Sequence, residues 1–84
     1  MASVNTNEDV ENAAKKAAEA LYGTDITDFK VRVVFPFPSE HKRDSWDVQV
    51  TFLSSGVQYT VDLMIDEKNG QITNARLIDK MTPL

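Results

Sequence analysis

The strongest constraint on the fold is a pair of alternating segments, residues 46–52 and 59–65, on either side of the dipeptide Ser55-Gly56. Apolar and polar residues alternate in each segment, which is typical of a β-strand with one buried face. A two-residue turn at Ser55-Gly56 would join them as an antiparallel hairpin. This register places the large apolar residues opposite one another: Phe52 with Tyr59, Val50 with Val61, Val48 with Leu63, and Trp46 with Ile65. A slip of one residue would destroy this match, so the register is strongly determined.

Two further strands are expected to flank this hairpin. Residues 29–37 alternate in the same way, which leaves Val34 on the outer face and predicts an inward face of Phe29, Val31, Val33, Phe35 and Phe37. After the third strand, a three-residue loop with a left-handed Gly70 would pair Glu67 with Gln71. That loop sets the following residues of the last two strands opposite each other: Leu63 and Ala75, Val61 and Leu77, Asp62 and Arg76.

One segment, residues 7–22, has the spacing of an amphipathic helix, with an apolar stripe of Val10, Ala13, Ala14, Ala17 and Leu21. Thr6 and Asp9 have the spacing of a capping box, and Gly23 is suited to end the helix. We therefore predict an α+β fold in which one N-terminal helix packs on a four-stranded antiparallel meander. Residues 1–84 form a single domain in this prediction, with 1–6 and 80–84 as frayed ends.

Charge and composition argue against several function classes. The chain has 13 acidic and 9 basic side chains, and its net charge of −4 argues against nucleic acid as a partner. It has no cysteine, which excludes thiolate metal sites and thiol nucleophiles. No apolar run approaches the roughly 20 residues of a membrane helix, so no membrane association is expected. Residues 1–9 do not resemble a secretory leader, and we expect a cytoplasmic location.

Candidate catalytic and metal-binding residues are few. His41 is the single histidine, and no nucleophile motif or phosphate-binding glycine loop accompanies it. We therefore expect neither an enzyme nor a cofactor. Asp66 and Glu67 lie together at the second hairpin turn, and their carboxylates are suitable ligands for a calcium-type cation. Ordinary turn chemistry of Asp, Asn and Gly explains the same turn equally well.

Two surfaces are candidates for binding a protein or peptide partner. The basic run His41, Lys42 and Arg43 lies beside Phe37 and Trp46; it would suit an acidic or peptide partner, or it is simply a solvated loop. The second surface is the outer sheet face, together with the last strand, 71–78, as an open edge. The candidate contact residues on this surface are Val34, Met64, Ile72, Arg76 and Ile78.

From these surfaces we predict a small non-enzymatic interaction module. It would recognise a protein or peptide partner, or a second copy of the chain, through the open sheet face or the last edge strand. A monomer whose C-terminal tail folds over the apolar patch is the other possibility for this surface. The alternative function is an acidic, calcium-type cation-binding protein that uses Asp66 and Glu67.

One stretch also carries a family resemblance. The run Tyr59-x-Val61-x-Leu63-x-Ile65-Asp66-x-x-x-Gly70-x-Ile72, preceded by a helix and by Trp46-x-Val48-x-Val50, resembles a PepSY-type domain over residues 45–78. This resemblance implies a cystatin-like helix packed on an antiparallel sheet, and the role suggested for the family is peptidase inhibition. The same stretch, with Trp46, Tyr59, Gly70 and Arg76, is also similar to gas-vesicle accessory proteins of the O type. Neither family supplies a catalytic residue.

Overall fold

The computed structural model of the chain describes residues 6–39 and 41–82. One helix, α1 (Asn7–Tyr22), precedes four strands, β1 (Thr27–Phe37), β2 (Ser45–Ser54), β3 (Val57–Asp66) and β4 (Ile72–Met81). The strands form one antiparallel sheet in the order β1-β2-β3-β4, and α1 packs on one face of it against β1, β2 and β3. The predicted α+β fold, one N-terminal helix on a four-stranded meander, is confirmed.

Helix α1 begins and ends where the sequence predicts. The Asp9 N–H donates to Thr6 Oγ1 at 3.1 Å and the Thr6 N–H donates to Asp9 Oδ2 at 3.3 Å, which is a reciprocal capping box. Gly23 follows the helix at φ 106°, and its N–H donates to the Glu19 carbonyl. The prediction of frayed ends is wrong for Thr6, which caps α1, and for residues 80 and 81, which belong to β4. Residues 1–5, 83 and 84 lie outside the described residues.

The buried face of α1 differs from the predicted stripe at its last turn. Leu21 is 55% exposed, whereas Ala18 is buried and Tyr22 packs against the core. The contact follows the row of every fourth residue, which is inclined to the helix axis. The row of Val10, Ala14, Ala18 and Tyr22 therefore faces the sheet, and Leu21 lies outside this row.

The β2–β3 hairpin has the predicted register, from Phe52 opposite Tyr59 to Trp46 opposite Ile65. Ser55 and Gly56 both have positive φ, 52° and 78°, as a type I′ hairpin turn requires. The rings of Tyr22, Phe52 and Tyr59 form a cluster at this end of the sheet, with centroids 5.0 to 5.6 Å apart. The core that α1 and the inner sheet face enclose consists of Val10, Ala14, Ala17, Ala18, Trp46, Val48, Val50, Phe52, Val61, Leu63 and Ile65.

Two β-bulges in β1 change which of its side chains face the core. Val31 pairs with Val50 but Val33 pairs with Gln49, so Arg32 is an extra residue; a second irregularity lies at Asp28, whose φ is 56°. Beyond Arg32 the alternation is inverted. Val34 lies opposite Val48 and packs against the core, so its predicted outward position is wrong. Phe35 and Phe37, predicted to point inward, are 60% and 46% exposed.

The loop before β4 is one residue longer than predicted. The Asp66 N–H donates to the Gln71 carbonyl and the Gly70 N–H to the Asp66 carbonyl, both at 2.8 Å, so the loop spans residues 67–70. The predicted pairing of Glu67 with Gln71 is therefore wrong. Two side chains fix the longer loop: Asp66 Oδ1 accepts from the Lys68 N–H and Asn69 Oδ1 accepts from the Gln71 N–H.

Strand β4 carries two extra residues relative to β3. Thr73 is the first, and it offsets the longer loop so that the predicted pairs are confirmed: Leu63 and Ala75, Val61 and Leu77, Asp62 and Arg76. Before this bulge, Ile72 lies opposite Ile65 and packs against the core, so its predicted place on the outer face is wrong. The second extra residue is Ile78, between Leu77 opposite Val61 and Asp79 opposite Thr60.

Candidate functional site

Strand β4 is the most open element of the fold. All of residues 73–81 are exposed, and among them the large apolar side chains Leu77, Ile78 and Met81 are 48%, 45% and 53% exposed. As the last strand of the sheet, β4 pairs with β3 along one edge only. In the described part of the chain no strand pairs with the backbone N–H and C=O groups of the other edge, so these groups can pair with an added strand.

The register of β4 with β3 assigns its side chains to the two faces of the sheet. Residues opposite Val61, Leu63 and Tyr59 lie on the inner face, on the same side as α1; these are Ala75, Leu77 and Lys80. Residues opposite Gln58, Thr60, Asp62 and Met64 lie on the outer face; these are Met81, Asp79, Arg76 and Asn74. Because α1 packs over β1 to β3, Leu77 keeps about half of its surface exposed although it lies on the core side of the sheet.

The opposite edge, β1, is less suited to strand addition. Pro36 lies within β1 and has no N–H to donate, whereas β4 contains no proline. Phe35 and Phe37 on either side of it are exposed on the outer face, opposite Asp47 and Ser45 of β2. This edge offers exposed aromatic side chains but an interrupted row of backbone donors.

Two carboxyl groups lie at the centre of the outer face. Asp47 of β2 is opposite Met64 and Asp62 of β3 is opposite Gln49, so Asp47 and Asp62 are diagonal neighbours. Asp47 Oδ1 is buried and has no hydrogen-bond partner in the described part of the chain. The pKa of Asp62 is raised from 3.8 to about 6 by burial, which is the largest cause, and by the hydrogen bond with Asp47 and the charge of Asp47, while the charge of Arg76 acts to lower it. When Asp62 is protonated, it can donate to its neighbour Asp47.

One residue of the predicted basic cluster, Arg43, makes contacts within the chain. The guanidinium of Arg43 lies 4.4 Å above the Trp46 ring and also pairs with Glu67, so Arg43 ties the β1–β2 connection to the β3–β4 turn. Trp46 itself is only 8% exposed. His41 and Lys42 are exposed.

The candidate cation ligands are occupied by contacts within the chain. Glu67 pairs with Arg43, and Asp66 Oδ1 accepts from the Lys68 N–H at 2.8 Å. Across residues 6–39 and 41–82, no three side chains of the metal-ligating types converge on one point. The calcium-type alternative therefore stays a prediction from the sequence.

A shallow pocket of about 300 Å³ lies at the other end of the sheet, next to the β2–β3 turn. Its charged wall is formed by Asp28, Lys30 and Arg32 of β1, opposite Thr51 of β2. His41 follows the far end of β1, so the one histidine of the chain is remote from this pocket. The pocket thus combines charges of both signs with the hydroxyl group of Thr51.

Of the predicted partner-surface residues, Met64 and Arg76 are diagonal neighbours across β3 and β4. Met64 and Arg76 lie on the outer face and Ile78 is the bulge residue of β4. The sequence did not single out Leu77, Asp79 and Met81 as surface contacts, nor Asp47 and Asp62 as a pair. The predicted hairpin register already makes Asp47 and Asp62 diagonal neighbours, so their proximity could have been predicted from the sequence.

The chain matches no protein-family model, no curated protein and no solved structure. Within the described residues, no helix is both long enough and apolar enough to cross a membrane.

Proposed function

We propose that this chain is a non-enzymatic interaction module that binds an extended protein segment by strand addition along β4. The observation that supports this proposal is the run of nine exposed residues, 73–81, in an edge strand without proline. An added strand would satisfy the free backbone groups of that edge, and this gives affinity that is independent of sequence. The PepSY-type relationship and the cytoplasmic location remain predictions from the sequence.

Specificity in this mode comes from side chains that alternate between the two faces of the added strand. On the inner face, Leu77 offers an apolar contact next to the strands that α1 covers. On the outer face, Arg76 and Asp79 offer one charge of each sign, next to the exposed Met81. On either side of Ile78, a segment that alternates apolar and charged residues therefore fits this edge.

The proposal is tested with peptides selected from a random library of extended decapeptides displayed against the immobilised chain. A selected peptide should protect amides of β4 from hydrogen exchange. Leu77→Lys should weaken its binding about tenfold, which corresponds to about 1.4 kcal/mol. The matched control is Phe35→Lys, which changes an exposed apolar residue of the opposite edge strand and should leave the affinity unchanged.

Two results would contradict the proposal. One is a library that yields no peptide protecting β4. The other is a selected peptide that protects β1 or α1 and whose affinity falls in Phe35→Lys but not in Leu77→Lys.

A further inference from the structure

The faces of β4 are ordered symmetrically about the midpoint between Leu77 and Ile78. Arg76 and Asp79 both point outward, Ala75 and Lys80 both point inward, and Asn74 and Met81 both point outward. A regular strand alternates strictly, so its pattern cannot be symmetric about a point between two residues. The extra residue Ile78 creates the symmetry, because a bulge inverts the alternation beyond it.

We infer that the segment received by β4 is β4 of a second copy of the chain, antiparallel, with Arg76 opposite Asp79 of the partner subunit. This inference rests on the proposed function and names its partner. In this register Leu77 lies opposite Ile78 of the partner subunit, Ala75 opposite Lys80 of the partner subunit, and Asn74 opposite Met81 of the partner subunit. The pairs on either side of Leu77 and Ile78 then join side chains of the same face, as a continuous sheet requires.

The bulge favours a second copy over a regular peptide. A strand without an extra residue matches β4 on one side of Ile78 but presents the wrong face on the other side. A second β4 carries its own extra residue at the same place, so the two irregularities lie opposite each other. The pairing therefore continues through the two-fold axis without further distortion.

Charge complementarity selects the register. Two-fold symmetry makes the pairing of Arg76 with Asp79 of the partner subunit occur twice, and opposite charges directly across two strands stabilise a sheet. In the described part of the chain Arg43 and Glu67 form an ion pair, whereas Arg76 and Asp79 form none, although the charge of Arg76 acts on Asp62 opposite it. A slip that sets Arg76 opposite its own copy would bring like charges together, which is unfavourable.

The centre of the interface is apolar. Leu77 and Ile78 are each about half exposed, and the symmetric pairing brings four such side chains together around the axis. An interface confined to one edge strand is smaller than the ~1,600 Å² of a standard stable complex. We therefore expect a dissociation constant on the order of 1 to 100 µM.

The inference is tested by sedimentation of the full chain and of two charge-reversal variants, Asp79→Arg and Arg76→Asp. The chain itself should dimerise with increasing concentration. Each variant alone should dimerise at least about tenfold more weakly, because its interface sets like charges opposite each other. An equimolar mixture of the two variants should recover a heterodimer, since one copy then contributes two acidic side chains and the other two basic ones.

A matched control and a second measurement keep the outcome clear. Phe35→Asp introduces a charge on the opposite edge strand and should leave dimerisation unchanged. Because Arg76→Asp adds a carboxyl opposite Asp62, its fold is checked by circular dichroism. If Arg76→Asp does not fold, hydrogen exchange decides: raising the concentration of the unchanged chain should protect amides of β4, and this protection should be absent in Asp79→Arg.

The results separate this inference from the proposed function. A chain that stays monomeric up to about 1 mM, tenfold above the expected range, overturns the second copy as partner. A dimer that Asp79→Arg does not weaken also overturns the inference. A dimer whose concentration-dependent protection from hydrogen exchange lies outside β4 overturns it as well. If a library peptide still protects β4 in any of these cases, only the inference fails. If no peptide does, the proposed function fails as well.

Discussion

Replacing Asp62 by asparagine should make the stability of this fold less dependent on pH. The pKa of Asp62 is raised from 3.8 to about 6, chiefly by burial, so the folded chain holds this proton more tightly than the unfolded chain does. The stabilising contribution of the proton is fully present below about pH 4 and is lost as the pH rises through about 6. Asparagine is neutral at every pH, so Asp62→Asn does not lose this contribution.

The magnitude follows from the two pKa values. A shift of one pKa unit corresponds to about 1.4 kcal/mol, so the full shift of the Asp62 pKa from 3.8 to about 6 would be worth about 3 kcal/mol. The carboxyl is only partly buried, and solvent screening reduces this to about 1 to 2 kcal/mol. The free energy of unfolding of Asp62→Asn, minus that of the unchanged chain, should therefore increase by about 1 to 2 kcal/mol between pH 4 and pH 7.

The assay is urea unfolding at a series of pH values, at protein concentrations low enough to keep the chain monomeric. Taking the difference between the two proteins removes the contributions of the other carboxyl groups. In parallel, the side-chain carboxyl carbon of Asp62 is titrated by NMR. A flat difference curve, together with an Asp62 carboxyl that titrates near 4, would contradict the raised pKa of Asp62.

The two neighbours of Asp62 supply internal controls. Asp47→Asn removes a negative charge and an acceptor, so the pKa of Asp62 should fall in that variant. Arg76→Gln removes the positive charge opposite Asp62, so the pKa should increase further. If neither change moved the pKa of Asp62, burial alone would account for the raised value.

Three further changes test the core and the ends of the helix, each by urea unfolding. Val61→Ala should cost about 2 kcal/mol, because Val61 is 2% exposed between Val50 and Leu77; a loss under about 0.5 kcal/mol would contradict its place in the core. Thr6→Ala should cost about 1 kcal/mol through the lost capping bond, and Thr6→Asp should restore most of it. Gly23→Ala should cost about 1 to 3 kcal/mol, because φ 106° and ψ 159° are essentially restricted to glycine; an unchanged stability would mean that the helix ends differently.

The central hairpin was fully predictable because two independent constraints agree there. The Ser55-Gly56 turn fixes the loop length, and the alternation of apolar residues in 46–52 and 59–65 fixes the same register. The helix was predictable for a similar reason, since the Thr6 cap and the apolar spacing after it indicate the same boundary. Each of these elements is determined by residues close together in sequence.

The flanking strands were only partly predictable because their bulges carry no local signal. Val33-Val34 in β1 is apolar on both possible faces, so the sequence pattern cannot show that Arg32 is an extra residue. In β4 the longer loop and the bulge at Thr73 have opposite effects on the register. The predicted pairs of residues 75–77 were therefore right although the predicted loop was wrong.

The candidate site depends on these bulges and on the reach of the helix. Exposure of Leu77 on the inner face follows from a 16-residue helix that packs over β1 to β3. Periodicity indicates which residues share a face, but it does not indicate how far a covering element extends. The symmetric face order of β4 depends on Ile78. Only the pairing of β4 with β3 shows that Ile78 is an extra residue.

The contact between Arg43 and Trp46 gives the chain a built-in optical reporter. Trp46 is the single tryptophan, buried under a guanidinium group, and it lies six residues along β2, about 20 Å, from the ring cluster of Tyr22, Phe52 and Tyr59. Tryptophan emission therefore monitors one end of the sheet, and the near-ultraviolet circular dichroism of the tyrosines monitors the other. Coincident midpoints during heating would indicate one cooperative transition. An earlier midpoint for the emission would indicate that the Arg43 end opens while the tyrosine cluster is still packed.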